Sequence, residues 1–477
     1  MKPMTLTKAI TLGSLVLIGV SGLCALPGSG TNLQRAEAQA TSLTAKEFLG
    51  KNLYFDTSLS TPNGMSCATC HAPEAGFTYP KSDINQAFGP VPGVIPTRFG
   101  FRVPPTIAYA AYVPAGPPHL DPTKPLYVGG LFLDGRAPNL SAQAEMPFQN
   151  PNEMNNVLHN LASPGLVVAS VKRGPYASLF RQVYGKAIFD NPTTAFADIA
   201  DAIAAFEAAP EVSPFNSKYD LWLKGQAKLT PDELDGLRLV TGSWTGRPGG
   251  PAYYKVINGQ QVIKNAQCAV CHEIPADPTT GPDLWTGSHY ANVGAPRNPN
   301  NPYYKQTNSA TDPLGYNPLG RNFVDLGLGD FLYPQEGLPS GNMGPGSDTR
   351  GDYLKVNGTF RVPTLRNIAK VPNPGFVKAY MHNGVFKSLK QVVHFYNTRN
   401  LTTAPGEVID FTKADPYAGL VGKPLWPEPE YASPITLQNP SGLPVSSTSR
   451  VGNLGLTDAE ENHIIAFLNT LSDQTPE

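Results

Sequence analysis

Two pentapeptides constrain this chain more than anything else in its 477 residues: Cys67-Ala68-Thr69-Cys70-His71 and Cys268-Ala269-Val270-Cys271-His272. Two cysteines three apart can each add to a haem vinyl group, and the histidine that follows is placed to bind the iron. Each pentapeptide therefore reads as an attachment site for c-type haem. Four of the five cysteines are used this way. Cys-x-x-Cys is also zinc-ligand spacing, but a zinc site leaves unexplained why His follows the second cysteine both times.

A net charge of −1 argues against nucleic acid as a partner. Charged residues make up only 15%, while Gly (46) and Pro (49) are abundant, which suggests a loop-rich chain with little regular structure per residue. The first 40 residues read as a cleaved export signal. Lys2 and Lys8 precede an apolar stretch from Ile10 to Leu26, and Ala38-Gln39-Ala40 is a small-x-small cleavage site. Cys24 falls within this signal, and the bulky Leu23 before it argues against a lipid anchor. No later run is long and apolar enough to span a bilayer. The expected location is the periplasm.

An internal repeat runs through the rest. An amphipathic helix from Leu43 to Phe55 leads to the first pentapeptide. Leu229 to Leu234 opens another ahead of the second, with Thr230 as cap, Pro231 at the first helical position and acids in the first turn. Each half closes with a helix. The first is Phe196 to Ala208, with Ile199, Ile203 and Phe206 on one face; the second is Thr457 to Leu471, with Ile464, Phe467, Leu468 and Leu471 on its apolar side. The predicted fold is mainly α, with two cytochrome c-like haem domains and long irregular loops. The domains span 41–225 and 226–477 after a 1–40 signal. The stretches 80–105, 113–130, 274–350 and 402–455 carry turn signals and no sustained period, and loops of that length usually cover a cofactor or a site.

Five segments carry a family resemblance: Gly50-Lys51-Asn52-Leu53-Tyr54-Phe55-Asp56, Phe132-Leu133-Asp134-Gly135-Arg136-Ala137, Gln149-Asn150-Pro151-Asn152-Glu153-Met154, Phe360-Arg361-Val362-Pro363-Thr364-Leu365-Arg366-Asn367 and Met381-His382-Asn383-Gly384. In this order they resemble the bacterial dihaem cytochrome c peroxidases and the related MauG-type methylamine-utilisation enzymes. The resemblance implies two covalently bound c-type haems, one peroxidatic and one for electron transfer, and hydrogen peroxide as substrate. It also implies electrons from a small redox protein or from an oxidised protein substrate, and it leaves a homodimer open.

Four positions bear on the subtype. The resemblance places a ligand of the second haem at Tyr396, where peroxidases carry Met and MauG-type enzymes Tyr; a core aromatic is the plain alternative, with His394 and Met381 as other ligands nearby. No histidine lies between His71 and Arg102, and the next, His119, sits in a Pro-rich loop, so the first haem is expected to have His71 alone and an open face. Glu153 matches the family's acid–base carboxylate, with Pro147 and Gln149 in the same segment; a surface Glu near a turn is the alternative. Leu133 replaces the Trp that the family places between the haems, which weakens the sharing of oxidising equivalents and leaves Phe132 or Tyr109 as aromatic relays. In addition, Val103 replaces an Asn that helps bind an inter-haem calcium ion, so calcium loses one oxygen ligand, with carbonyls near Val377 and Ala379 remaining. The rival from another class is a non-catalytic dihaem electron-transfer cytochrome, with His119 or Met146 closing the first haem.

Overall fold

Three helices start on the same device, a threonine cap answered three residues later by glutamate. Thr44 and Glu47 open α1 (Ala45–Phe55), Thr230 and Glu233 open the helix Pro231–Thr241, and Thr457 and Glu460 open Asp458–Asn469. In each, the hydroxyl takes the third backbone N–H and the carboxylate takes the cap's own, so two orphan donors are satisfied locally. The computed structural model describes residues 43–124, 126–242, 253–257, 260–275, 281–333, 356–403, 423–431 and 451–474. The predicted export signal, with Cys24, lies outside them, as does most of 402–455.

After α1 come the single turn α2 (Cys67–Cys70), α3 (Leu140–Gln149), α4 (Pro164–Arg173) and α5 (Pro192–Glu207). In the second half, α6 (Pro231–Thr241), α7 (Leu389–Thr398) and α8 (Asp458–Asn469) follow. Regular sheet among the described residues is confined to two-stranded antiparallel ladders. The chain is thus helix-rich with few small sheets, in line with the mainly α expectation. The hairpin of Tyr254–Ile257 with Gln260–Ile263 was not anticipated.

Each half repeats one helix crossing. Gly50 of α1 meets α5 so closely that a Cβ on it would stand 1.9 Å from the Ala202 carbonyl oxygen and 3.0 Å from Phe206 Cβ. Gly236 of α6 meets α8 in the same way, 1.9 Å from the His463 oxygen and 2.7 Å from Phe467 Cβ. Only glycine fits either contact. The apolar interior divides accordingly. One large cluster of buried residues is drawn from Leu49 to Val212, and a second runs from Tyr219 to Leu471. The predicted helical faces supply both, with Ile199, Ile203 and Phe206 in the first and Ile464, Phe467, Leu468 and Leu471 in the second.

A buried ion pair ties the link between these clusters to the second. Arg366 donates to both oxygens of Asp220, at 2.9 and 2.8 Å, and to the Asp283 carbonyl at 2.6 Å. Its guanidinium lies over the rings of Tyr109 and Phe215, 4.9 and 4.5 Å from their centroids.

Candidate functional site

The first pentapeptide folds into one turn, α2, and the His71 N–H donates to the Cys67 carbonyl at 2.9 Å. Cysteines three apart in one turn stand on the same side. Tyr54 Oη donates to the His71 carbonyl at 2.6 Å, which fixes the end of the turn. His71 Nδ1 lies 3.3 Å from the Phe77 carbonyl oxygen and also faces that of Pro105. A carbonyl acceptor there keeps the proton on Nδ1 and leaves Nε2 for a metal. Burial lowers the His71 pKa, which favours the neutral imidazole that a ligand must be.

The second pentapeptide repeats this with a tighter turn over Cys268–Val270, and the His272 N–H donates to the Cys268 carbonyl at 2.8 Å. His272 Nδ1 is 3.1 Å from the carbonyl oxygens of both Trp285 and Pro363, and burial pulls its pKa down to about 4. Pro105 and Pro363 occupy matching places, and the threonine after each bonds a carbonyl beyond the haem motif: Thr106 to Gly76 at 2.8 Å and Thr364 to Leu284 at 2.5 Å. The thiols are half-buried. Burial pushes those of Cys70, Cys268 and Cys271 up to about 12, and that of Cys67 further.

Tyr396 lies on α7, and it and Cys268 pack against the same apolar cluster. Burial is the main reason its phenol pKa is raised, and Cys271 and Cys268 both add to the shift, while Arg399 opposes it. Arg399 is itself anchored on the carbonyls of Val293 and Val451, at 2.9 and 3.0 Å. Of the alternatives, His394 is turned to Glu461, with Nδ1 2.7 Å from Oε1, and Met381 sits at a left-handed turn with φ 66°.

Glu153 follows α3, close enough to the first thiol pair for its charge to contribute to the raised pKa of both Cys67 and Cys70. Burial raises its own pKa; Arg136 and a 2.8 Å hydrogen bond from Asn150 Nδ2 to Oε1 pull the other way. Its loop is clamped from outside. Val94 N–H donates to the Glu153 carbonyl at 2.8 Å, and Arg98 Nη1 donates to Asn155 Oδ1 at 2.8 Å. Gly93 permits this approach: a Cβ there would lie 2.3 Å from the Asn152 oxygen. Pro147 is inside α3, and its carbonyl accepts from Met154 N at 3.2 Å. The Gln149 amide turns back to the Glu145 carbonyl at 3.4 Å and away from Glu153. His119 is exposed and its Nδ1 meets the Pro117 carbonyl at 3.0 Å.

Leu133 is buried, and its carbonyl accepts from Arg361 N at 2.8 Å. The next residue, Asp134, is gripped by Arg102 at 2.5 Å and Arg136 at 2.7 Å. Burial raises its pKa, but the two guanidiniums outweigh that and bring it to about 2. Arg136 also lies 3.5 Å over the Phe132 ring.

The residues that sequence reasoning missed divide in two. Asn150 and Arg399 stand three positions from Glu153 and Tyr396, a spacing open to inspection. Phe77, Pro105, Trp285 and Pro363 act through backbone carbonyls, which no side-chain pattern announces.

Comparisons with known proteins identify relatives of this chain. Residues 44–228 match a family model described as di-haem cytochrome c peroxidase. The chain is 32% identical over 453 residues to the methylamine utilization protein MauG of Paracoccus denitrificans, covering 94% of this chain and 93% of that one. It is 30% identical over 390 residues to the cytochrome c551 peroxidase of Nitrosomonas europaea, covering 81% and 83%. Among solved structures, the diheme peroxidase BthA of Burkholderia thailandensis superposes with a TM-score of 0.62 at 27% identity, covering 91% of this chain and 88% of that one.

Proposed function

The chain belongs to the di-haem cytochrome c peroxidase family, as a dihaem peroxidase-like oxidoreductase, and from that premise we propose that peroxide is split over His71 with Glu153 as proton carrier. Cys67 and Cys70 would hold the first haem covalently and His71 its iron; Cys268, Cys271 and His272 would hold the second, with Tyr396 as a further ligand. Haem bound there would supply redox-active iron. The donor set fits: two pairs of thiols, each beside an imidazole whose Nδ1 is held by a backbone carbonyl.

The placement of Glu153 carries the reading. A part-buried carboxylate with a raised pKa, close to the first thiol pair, can take the proton from the inner peroxide oxygen and return it to the outer one. Asn150 holds the carboxylate in place and Arg136 favours its charged form. At the second haem Tyr396 would bind iron as a phenolate, a hard donor that favours the ferric state, and the Arg399 charge, which opposes the burial-raised pKa of the phenol, would steady it. Electrons enter there from a small redox protein or from an oxidisable protein side chain. The two apolar clusters favour two haem-bearing domains, proposed as 41–225 and 226–477, although Tyr219, Trp222 and Leu223 already pack in the second cluster. Export to the periplasm completes the reading.

Glu153→Gln tests it. Peroxide turnover is expected to fall about 10²–10⁴-fold, the usual share of general acid–base catalysis, with both haems still covalently bound. Ferric EPR of the unmodified holoprotein should show one high-spin and one low-spin haem, both signals responding to stoichiometric peroxide. Two low-spin haems indifferent to peroxide would mean the electron-transfer cytochrome instead.

A further inference from the structure

The resemblance brings with it an expected calcium ion between the haems, and the residues at that place do not fit one. Val103 offers an isopropyl group where an amide oxygen is needed. Its side chain is turned to Gly384, where a Cβ would stand 2.7 Å from Val103 Cγ1, and its N–H donates to the His382 carbonyl at 2.9 Å. The Val377 carbonyl is already taken by Asn85 Nδ2 at 3.0 Å. The surrounding seam is closed backbone to backbone: a Cβ on Gly89 would lie 2.8 Å from Gly384 Cα, and one on Gly384 would lie 2.6 Å from Gly89 Cα. Among the described residues, no group of three His, Cys, Asp or Glu side chains could hold a metal ion.

The same segment carries a buried cation of its own. Lys378, between Val377 and Ala379, is 4% exposed. Its ammonium donates to the carbonyls of Ala75 at 3.1 Å, Asn367 at 3.0 Å and Lys370 at 3.2 Å. An ammonium has three N–H donors and no acceptor, so three carbonyls satisfy it fully. Lys387 repeats the arrangement nearby, donating to the carbonyls of Asn85 at 2.7 Å and Gly384 at 2.6 Å. Burial, and then Lys370, pulls the Lys378 pKa down to about 7; hydrogen bonds to three carbonyls favour the charged form in general.

The carbonyls that Lys378 gathers come from both haem-bearing halves. Ala75 lies two residues before Phe77, whose carbonyl faces His71 Nδ1. Asn367 lies four residues after Pro363, whose carbonyl faces His272 Nδ1. One ammonium therefore joins backbone from both haem-bearing halves. We propose that Lys378, seconded by Lys387 at the Gly384 seam, is a tethered cation that does the joining a divalent ion would do, and that the chain positions both histidines without any bound divalent ion. Lys378 is on this account a positioning residue.

The test begins with the unaltered holoprotein, passed over a chelating resin and analysed for metals, with ferric EPR and visible spectra before and after EGTA. The expected result is no stoichiometric calcium and spectra unmoved by EGTA or by added calcium. One calcium per chain, or spectra lost to EGTA and restored by calcium, would overturn the proposal. Lys378→Met then removes the charge at similar length. Its covalent haem content should equal that of the unaltered protein, while the ferric EPR signal of the His71 haem shifts and added calcium fails to restore it. An unshifted signal would exclude Lys378 as the positioning group. Should that variant not fold, Lys378→Gln, which keeps an amide donor, is read in the same way. The spectral arm rests on the haem-ligand roles proposed above, but metal content does not depend on whether peroxide is turned over, so the two readings can fail separately.

Discussion

Glu153 and Tyr396 show how much one side chain owes to its surroundings. Burial raises the Glu153 carboxyl from an ordinary 4.5. Its basic form is lost as pH falls through that raised value, so the acid limb of peroxide turnover should lie above 4.5. A pH–rate profile of kcat/KM checks this, and Glu153→Gln should abolish the limb. Tyr396→Phe removes the phenol oxygen whose pKa Cys271 and Cys268 help to raise. It should change the low-spin ferric spectrum of one haem and leave both covalently attached. An unchanged spectrum would return Tyr396 to the role of a packed aromatic. Leu133 offers no oxidisable ring, and its carbonyl is held by the Arg361 N–H at 2.8 Å.

At the scale of elements, the repeated crossing of an opening helix with a closing one is the organising contact. Gly50→Ala would bring a Cβ to 1.9 Å from the Ala202 carbonyl, and Gly236→Ala to 1.9 Å from that of His463. Forcing an extra carbon into a packed contact costs about 1–3 kcal/mol or more, against about 1 kcal/mol that Ala gains over Gly inside a helix. Both variants should be net destabilised in chemical denaturation, each in its own half. The helices themselves were legible. Thr230 with Glu233 and the apolar faces ending at Phe206 and Phe467 mark them in local residue order. The crossing glycines were not, because a Gly in a helix signals weakness until its partner helix is known. The hairpin of Tyr254–Ile263 was missed although Asn258-Gly259 between its strands is a hairpin signal. The haem pentapeptides were the easiest reading, since their chemistry needs only adjacent residues. Phe77, Pro105, Trp285 and Pro363 were invisible because backbone carbonyls carry no sequence signature.

Across the whole molecule, distant segments are joined by buried charge. The Arg366–Asp220 pair is the test case: Arg366 is 1% exposed and Asp220 6%. Removing one partner of a buried pair strands the other, at a cost of about 3–5 kcal/mol. Asp220→Asn should lose about that much in equilibrium unfolding at neutral pH. The pH dependence has a defined sign. Burial alone would raise the Asp220 pKa, but the hydrogen bonds and charge of Arg366 bring it below the ordinary 3.8. The stabilisation is therefore complete above 3.8 and is withdrawn as pH falls through the lower native value, a loss that Asp220→Asn should not show.

The half-buried thiols bear on how the chain is loaded. Burial raises the pKa of all four, and a thiol held protonated adds poorly to a vinyl group. Haem attachment is therefore expected to run faster on the open polypeptide than on the folded one, a difference that haem uptake by unfolded and refolded apoprotein would measure.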